Sequence, residues 1–272
     1  MAIKTTKRIL IVGNWKMNLN ASQSSLLLHR LHERVKIRRD IEVVLAPSML
    51  VLQPLSIQID RRKFRLAAQN AHHKDEGAYT GEVSFTMLRD LVHYVIIGHS
   101  ERRYKFGESL SDVKAKVAAC VRNEITPILC VGETAQEKQD GETKQVLHDQ
   151  VTTALANLTA REVEKIVIAY EPVWALSNGA DYLHHATPKP GEIASAIEVI
   201  RHNIAHMYGD KAGRKVRVLY GGSANATSAR GLLETEGVDG LLVGGASLNY
   251  HEFSNIIAAA DRALAEGKTN GS

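Results

Sequence analysis

Eight short apolar runs recur along the chain. Most are followed by a stretch in which apolar residues return every three or four positions. The runs occupy residues 9–12, 42–46, 65–68, 94–97, 127–131, 166–170, 216–220 and 241–243. Several are almost continuously apolar instead of alternating, the pattern of parallel strands buried on both faces. The stretches between them each lay one stripe along a helix. Leu28, Leu31 and Val35 form one such stripe, and Val113, Val117 and Val121 another. Ile193, Ile197, Ile200 and Ile204 form a third, and Phe253, Ile256, Ile257 and Ala260 close the chain. An apolar stripe on a helix predicts packing against a sheet. Strand-then-helix repetition predicts right-handed parallel βαβ units. Eight of them favour a closed (β/α)8 barrel, although an open doubly wound sheet also fits the pattern taken alone. No linker interrupts the repetition, so residues 1–272 read as one domain with short frayed termini.

Composition narrows this little. The chain has 272 residues, 44% hydrophobic and 24% charged, as a globular protein should. Its 34 basic and 30 acidic side chains give a formal net charge of +4. The basic residues look scattered, apart from short runs at 38–39, 61–63 and 102–103. With no basic stripe interleaved with aromatics, nucleic-acid binding is not expected. The first apolar run is too short for a signal peptide or a membrane span, so a cytoplasmic protein is expected. Cys120 and Cys130 have no metal-ligand spacing and read as reduced, buried thiols. His202 and His206 stand four apart, yet no third ligand accompanies them, so no metal is expected.

Chemistry in a barrel sits at the C-terminal ends of the strands. The first strand runs into Asn14 and Lys16, a lysine placed for an anion or simply a solvated turn residue. The fourth runs into Gly98 and His99 at the start of a helical pattern. Positive potential at a helix N-terminus disfavours imidazolium, so His99 could serve as a neutral donor; a satisfied core histidine is the alternative. The sixth ends in Glu171 followed by Pro172. A carboxylate at the tip of an apolar strand is costly unless used or paired, and the proline holds it extended. The seventh and eighth run into Gly221-Gly222-Ser223 and Gly244-Gly245, glycine pairs that let backbone N–H groups approach a phosphate.

Together these segments resemble the triosephosphate isomerase family over nearly the whole chain. The similarity rests on NWKMN from Asn14, YVIIGHSERR from Tyr94, AYEPVWA from Ala169, YGGS from Tyr220 and LLVGGASL from Leu241. The resemblance implies a TIM barrel that interconverts dihydroxyacetone phosphate and glyceraldehyde 3-phosphate without cofactor or metal. It makes Glu171 the proton-transferring base, His99 the neutral electrophile and Lys16 the stabiliser of negative charge, supported by Glu101. Asn14 would help polarise the substrate oxygens, and Ser223, Gly244 and Gly245 would bind phosphate through N–H groups. It also implies a homodimer through the loop 69–84, with Thr80 reaching the partner's site and Glu82 pairing with Arg102 across the interface. One region departs from the family pattern. Residues 175–188 read ALSNGADYLHHATP, four residues longer than the usual lid, with Ser177 in place of its first glycine. Either Ser177 or Gly179 would supply the lid N–H to phosphate. Another phosphate-binding barrel enzyme would explain the glycine pairs but not AYEPVWA or GHSERR. A non-catalytic scaffold should have lost one of Asn14, Lys16, His99 and Glu171.

Overall fold

The computed structural model describes residues 7–36, 38–176 and 188–269. Eight parallel strands close on themselves in sequence order: β1 (Ile9–Asn14), β2 (Ile41–Ala46), β3 (Phe64–Ala68), β4 (Tyr94–Ile97), β5 (Thr126–Val131), β6 (Val167–Tyr170), β7 (Arg217–Tyr220) and β8 (Gly240–Val243). β1 pairs with β2 from Ile9 against Ile41 and with β8 from Leu10 against Gly240, which shuts the cylinder. The closed alternative is therefore the one adopted.

Successive strand residues face opposite sides, so each strand feeds two cores. Leu10, Val12, Val44, Ile96, Ile128 and Leu219 are among those filling the barrel interior. Ile11, Val43, Val95, Leu129, Ile168 and Val218 pack outward against the helices. This double burial is why the runs read as continuous rather than alternating. The helical stripes meet that outer face. Ala21–Arg34 buries Leu27, Leu28 and Leu31, Leu110–Arg122 buries Val113 and Val117, and Pro190–Tyr208 buries Ile193, Ile197, Ile200 and Ile204. Several helices start on capping boxes, with Asn20, Ser109, Thr134 and Thr159 each accepting from the backbone three residues on. Cys120 and Cys130 are free and buried, as expected. His202 and His206 are exposed.

At the N-terminal end of the barrel, polar strand starts are closed by ion pairs. Buried Asp239 accepts from Arg201 at 2.6 Å, Lys7 at 3.3 Å and the Val218 N–H at 2.8 Å. Glu42 accepts from Arg217 and from the Tyr94 hydroxyl, each at 3.0 Å.

Candidate active site

Asn14, Lys16, His99 and Glu171 all lie at the C-terminal mouth. β1 ends on Asn14, which is buried. Its side-chain oxygen accepts from the Lys16 N–H at 3.1 Å, and Gln69 donates to the Lys16 carbonyl at 2.9 Å. These contacts hold Lys16 at a φ of 52°, a left-handed conformation that a lysine does not adopt without support. Its ammonium reaches Glu101 at 2.9 Å. Burial alone would raise the Glu101 carboxyl, but the Lys16 hydrogen bond and charge outweigh it and hold the group below the usual range.

Gly98 turns the chain after β4 at a φ of 69°, and His99 caps the helix Ser100–Lys105. The His99 Nδ1 accepts from the Glu101 N–H at 3.2 Å. A nitrogen that accepts carries no proton, so the proton sits on Nε2. That Nε2 lies 3.3 Å from Oε1 of Glu171. Glu171 is 1% exposed, and its other oxygen faces the Ser100 N–H at 3.4 Å, at the positive end of the same helix. Both contacts are long, so the carboxylate can exchange them for a substrate proton.

Two glycines make this position possible. A Cβ on Gly132 would stand 1.9 Å from the Glu171 carbonyl oxygen, and one on Gly221 would stand 2.5 Å from its Cγ. Glu133, just past β5, is 1% exposed and accepts from the Tyr170 hydroxyl at 3.1 Å and the Trp174 indole N–H at 2.8 Å. It thereby fixes the residues on both sides of Glu171–Pro172. Glu133 is not among the residues expected from the sequence. Yet it carries the signal that singled out Glu171, a carboxylate at the tip of an apolar strand.

Gly244 adjoins the Lys16 side chain, since a Cβ there would lie 3.5 Å from its Cε. Gly244 and Gly245 open the short helical turn Gly245–Leu248, whose first N–H groups have no partner within the turn. Ser223 is exposed, and its hydroxyl donates to the Ala175 carbonyl at 3.1 Å. Ser177, Gly179 and the longer part of the expected lid, 177–187, lie outside the described residues. A cleft of about 370 Å³ runs from Asn14, Lys16 and His99 towards Glu82 and Val83. Residues 74–82 are all exposed, and Met17, Tyr79, Met87 and Phe106 are apolar and exposed. Arg102, expected to pair with Glu82, donates to buried Glu108 of its own chain at 2.6 Å. Lys116 completes that network, reaching Glu108 at 2.7 Å and Asn70 at 2.9 Å. Among the described residues, no group of three or more His, Cys, Asp or Glu could hold a metal ion, and no helix is long and apolar enough to cross a membrane.

The family model described as triosephosphate isomerase matches residues 9–260. The chain is similar to the triosephosphate isomerase of Clostridium tetani, at 39% identity over 92% of this chain and 96% of that one. It is 40% identical to the Chloroherpeton thalassium enzyme of the same name, over 92% and 98%, and 38% identical to that of Pediococcus pentosaceus, over 91% and 97%.

Proposed function

The chain belongs to the triosephosphate isomerase family, and we propose from that premise how its barrel mouth performs the reaction. It interconverts dihydroxyacetone phosphate and D-glyceraldehyde 3-phosphate, an aldose–ketose isomerisation within glycolysis and gluconeogenesis. Glu171 removes a proton from the carbon beside the substrate carbonyl and leaves an enediolate. His99 gives its Nε2 proton to the former carbonyl oxygen and takes up the proton of the neighbouring hydroxyl, while the protonated carboxyl returns its proton to the neighbouring carbon and the carboxylate is regenerated. His99 donates from Nε2 to the two substrate oxygens, and Asn14 assists. The Lys16 ammonium offsets the enediolate and phosphate charge. Backbone N–H groups of Ser223, Gly244, Gly245 and the Ser177 region hold the phosphate. One carbon is oxidised as its neighbour is reduced, so the net oxidation state is unchanged and the scheme calls for no external redox group.

The observation carrying this reading is the His99–Glu171 pair, 3.3 Å apart, with the histidine proton aimed at the carboxylate. A donor aimed where charge develops is worth about 10²–10³ in turnover. His99→Gln should lose that much in a coupled isomerase assay, with a near-normal KM. Turnover within threefold of wild type would remove His99 from the mechanism.

The residues 1–272 are proposed to act as one domain, in the cytoplasm, as a homodimer through the loop 69–84. The exposed apolar side chains around that loop support the dimer, since such patches mark protein contacts. Thr80 would reach the partner's site, and Glu82 would pair with Arg102 alongside its Glu108 contact. Sedimentation at micromolar concentration tests this: a monomer there would refute it.

A further inference from the structure

Two of the short basic runs in the sequence meet in space. Seven basic side chains and a single carboxylate line one cleft at the N-terminal end of the barrel, the end opposite the mouth. The cations come from the segment before β1, the loop after the helix Ala21–Arg34, the turn leading into β3 and, with Arg65, β3 itself. The carboxylate is Glu42, which Arg217 and Tyr94 already occupy. Two cations are neutralised locally. Arg62 holds Asp60 with two nitrogens at 3.1 Å, and Arg38 holds Asp261.

Five remain without a carboxylate partner among the described residues: Arg8, Lys36, Arg61, Lys63 and Arg65. Part of this set caps the fold. Lys63 donates to the His32 carbonyl near the end of its helix, and Arg8 donates to the Ile41 carbonyl at 3.2 Å through one terminal nitrogen. Arg65 uses Nη1 on His93 at 3.0 Å. Lys36 and Arg61 make no hydrogen bond or ion pair among the described residues, and both are exposed. Burial, and then the charges of Arg65 and Arg61, hold the His93 imidazole below its ordinary value, so the two arginines act on one place. Five uncompensated cations exceed the net charge of the whole chain, +4. Such a concentration is self-repelling until an anion enters it.

The walls indicate which anion. The apolar lining residues Ile41, Val43, Phe64 and Ile257 are all buried. Among the described lining residues, no aromatic face is available to stack a base, and no exposed apolar side chain to enter a bilayer. The cations surround a compact opening instead of following an extended track. Three of the five are arginines, whose forked donors match phosphate oxygens. We propose that this cleft binds a compact polyphosphate anion, either free or as the phosphate chain of a nucleotide. The site is separate from the catalytic mouth, and its occupant binds without displacing substrate. Because only the folded chain assembles the cleft, binding also stabilises the fold.

Calorimetric titration of the full-length protein with inorganic tripolyphosphate, at about 0.15 M salt, tests this. The double variant Lys36→Glu with Arg61→Glu should lose about tenfold or more in affinity, because two close charges are reversed. Its kcat and KM should stay at wild-type values, which also reports that it is folded. Arg61→Gln, which only removes charge, should show a smaller loss in the same direction. Lys16→Met at the mouth should bind tripolyphosphate as wild type does. The proposal is overturned if the double variant binds as tightly as wild type, or if Lys16→Met is the variant that loses binding. ATP should match tripolyphosphate within about threefold, since the described lining residues offer the base no stacking surface. Binding of ATP without tripolyphosphate, or of a DNA duplex that tripolyphosphate cannot displace, would also overturn it.

Discussion

The two ends of the barrel use charge in opposite ways. At the N-terminal end, Asp239 is buried and its Oδ2 accepts from Arg201 at 2.6 Å, the Val218 N–H at 2.8 Å and Lys7 at 3.3 Å. At the mouth, Glu171 is buried more deeply, yet its contacts are long, 3.3 Å to His99 and 3.4 Å to Ser100. Two short contacts, from Arg201 and the Val218 N–H, hold the strand starts in place. Long, exchangeable ones leave a carboxylate available to a carbon acid. Burial by itself therefore does not separate a structural acid from one proposed to be reactive; the tightness of its shortest contacts does.

Removing each acid should break this comparison in opposite directions. Glu171→Gln keeps the shape and deletes the proton acceptor. Turnover should fall by about 10³ or more, near the upper reach of one positioned base, while the melting temperature barely moves. Retention of a tenth of wild-type turnover would show that another group carries the proton.

Asp239→Ala should do the reverse. Lys7 and Arg201 would be left facing each other half-buried, at a cost of about 3 kcal/mol in urea unfolding. Turnover per folded molecule should hold. A loss of less than about 1 kcal/mol would mean that the pairs at this end are no stronger than surface ones.

Gly221→Ala sharpens the comparison by moving the base without altering its chemistry. The new methyl would meet the Glu171 Cγ at 2.5 Å, and a displacement near 1 Å can cost about 10² in rate. The expected result is a kcat loss of that size with folding retained. Unchanged kcat would show that the side chain has room to yield.

The smallest effect concerns the thiols. Burial raises both Cys120 and Cys130, and at Cys130 the neighbouring Glu171 charge adds to it. The folded chain keeps these protons while the unfolded chain releases them above about pH 8.5. The unfolded state then binds fewer protons, so stability should decline as pH rises past that point. Alkylation at pH 8 should be slow in the native protein and fast in urea. Rapid native labelling of either cysteine would contradict its buried placement.

Much of this was legible in the chain. The eight apolar runs locate all eight strands, because strands buried on both faces leave no polar gap to confuse them. Their starts differ by one residue at several strands: Thr126 begins β5 one residue before its apolar run, and Arg217 begins β7 one residue after its run, its charge met by Glu42 only in three dimensions. The side chains proposed to react stand out because each sits where an apolar strand stops. Gly132 and Gln69 did not, because nothing local distinguishes a glycine that must admit another strand's carbonyl, or a glutamine that braces a strained lysine. The basic runs looked scattered for the same reason: only closure of the barrel brings residues 36–38 to residues 61–65.

The chain has two tryptophans, and their placement makes the molecule its own optical probe. Trp15 is fully buried beside Lys16. Trp174 is half-buried three residues beyond Glu171, with its N–H on Glu133 and the Lys138 ammonium 3.3 Å from its ring centroid. An indole between a carboxylate and a cation has an excited state sensitive to both charges, whereas the buried one emits from apolar surroundings. The two bands should therefore be separable by wavelength and by quenching with iodide. Events at the first loop and at the base can then be followed by emission alone, in the unlabelled protein and on the timescale of turnover.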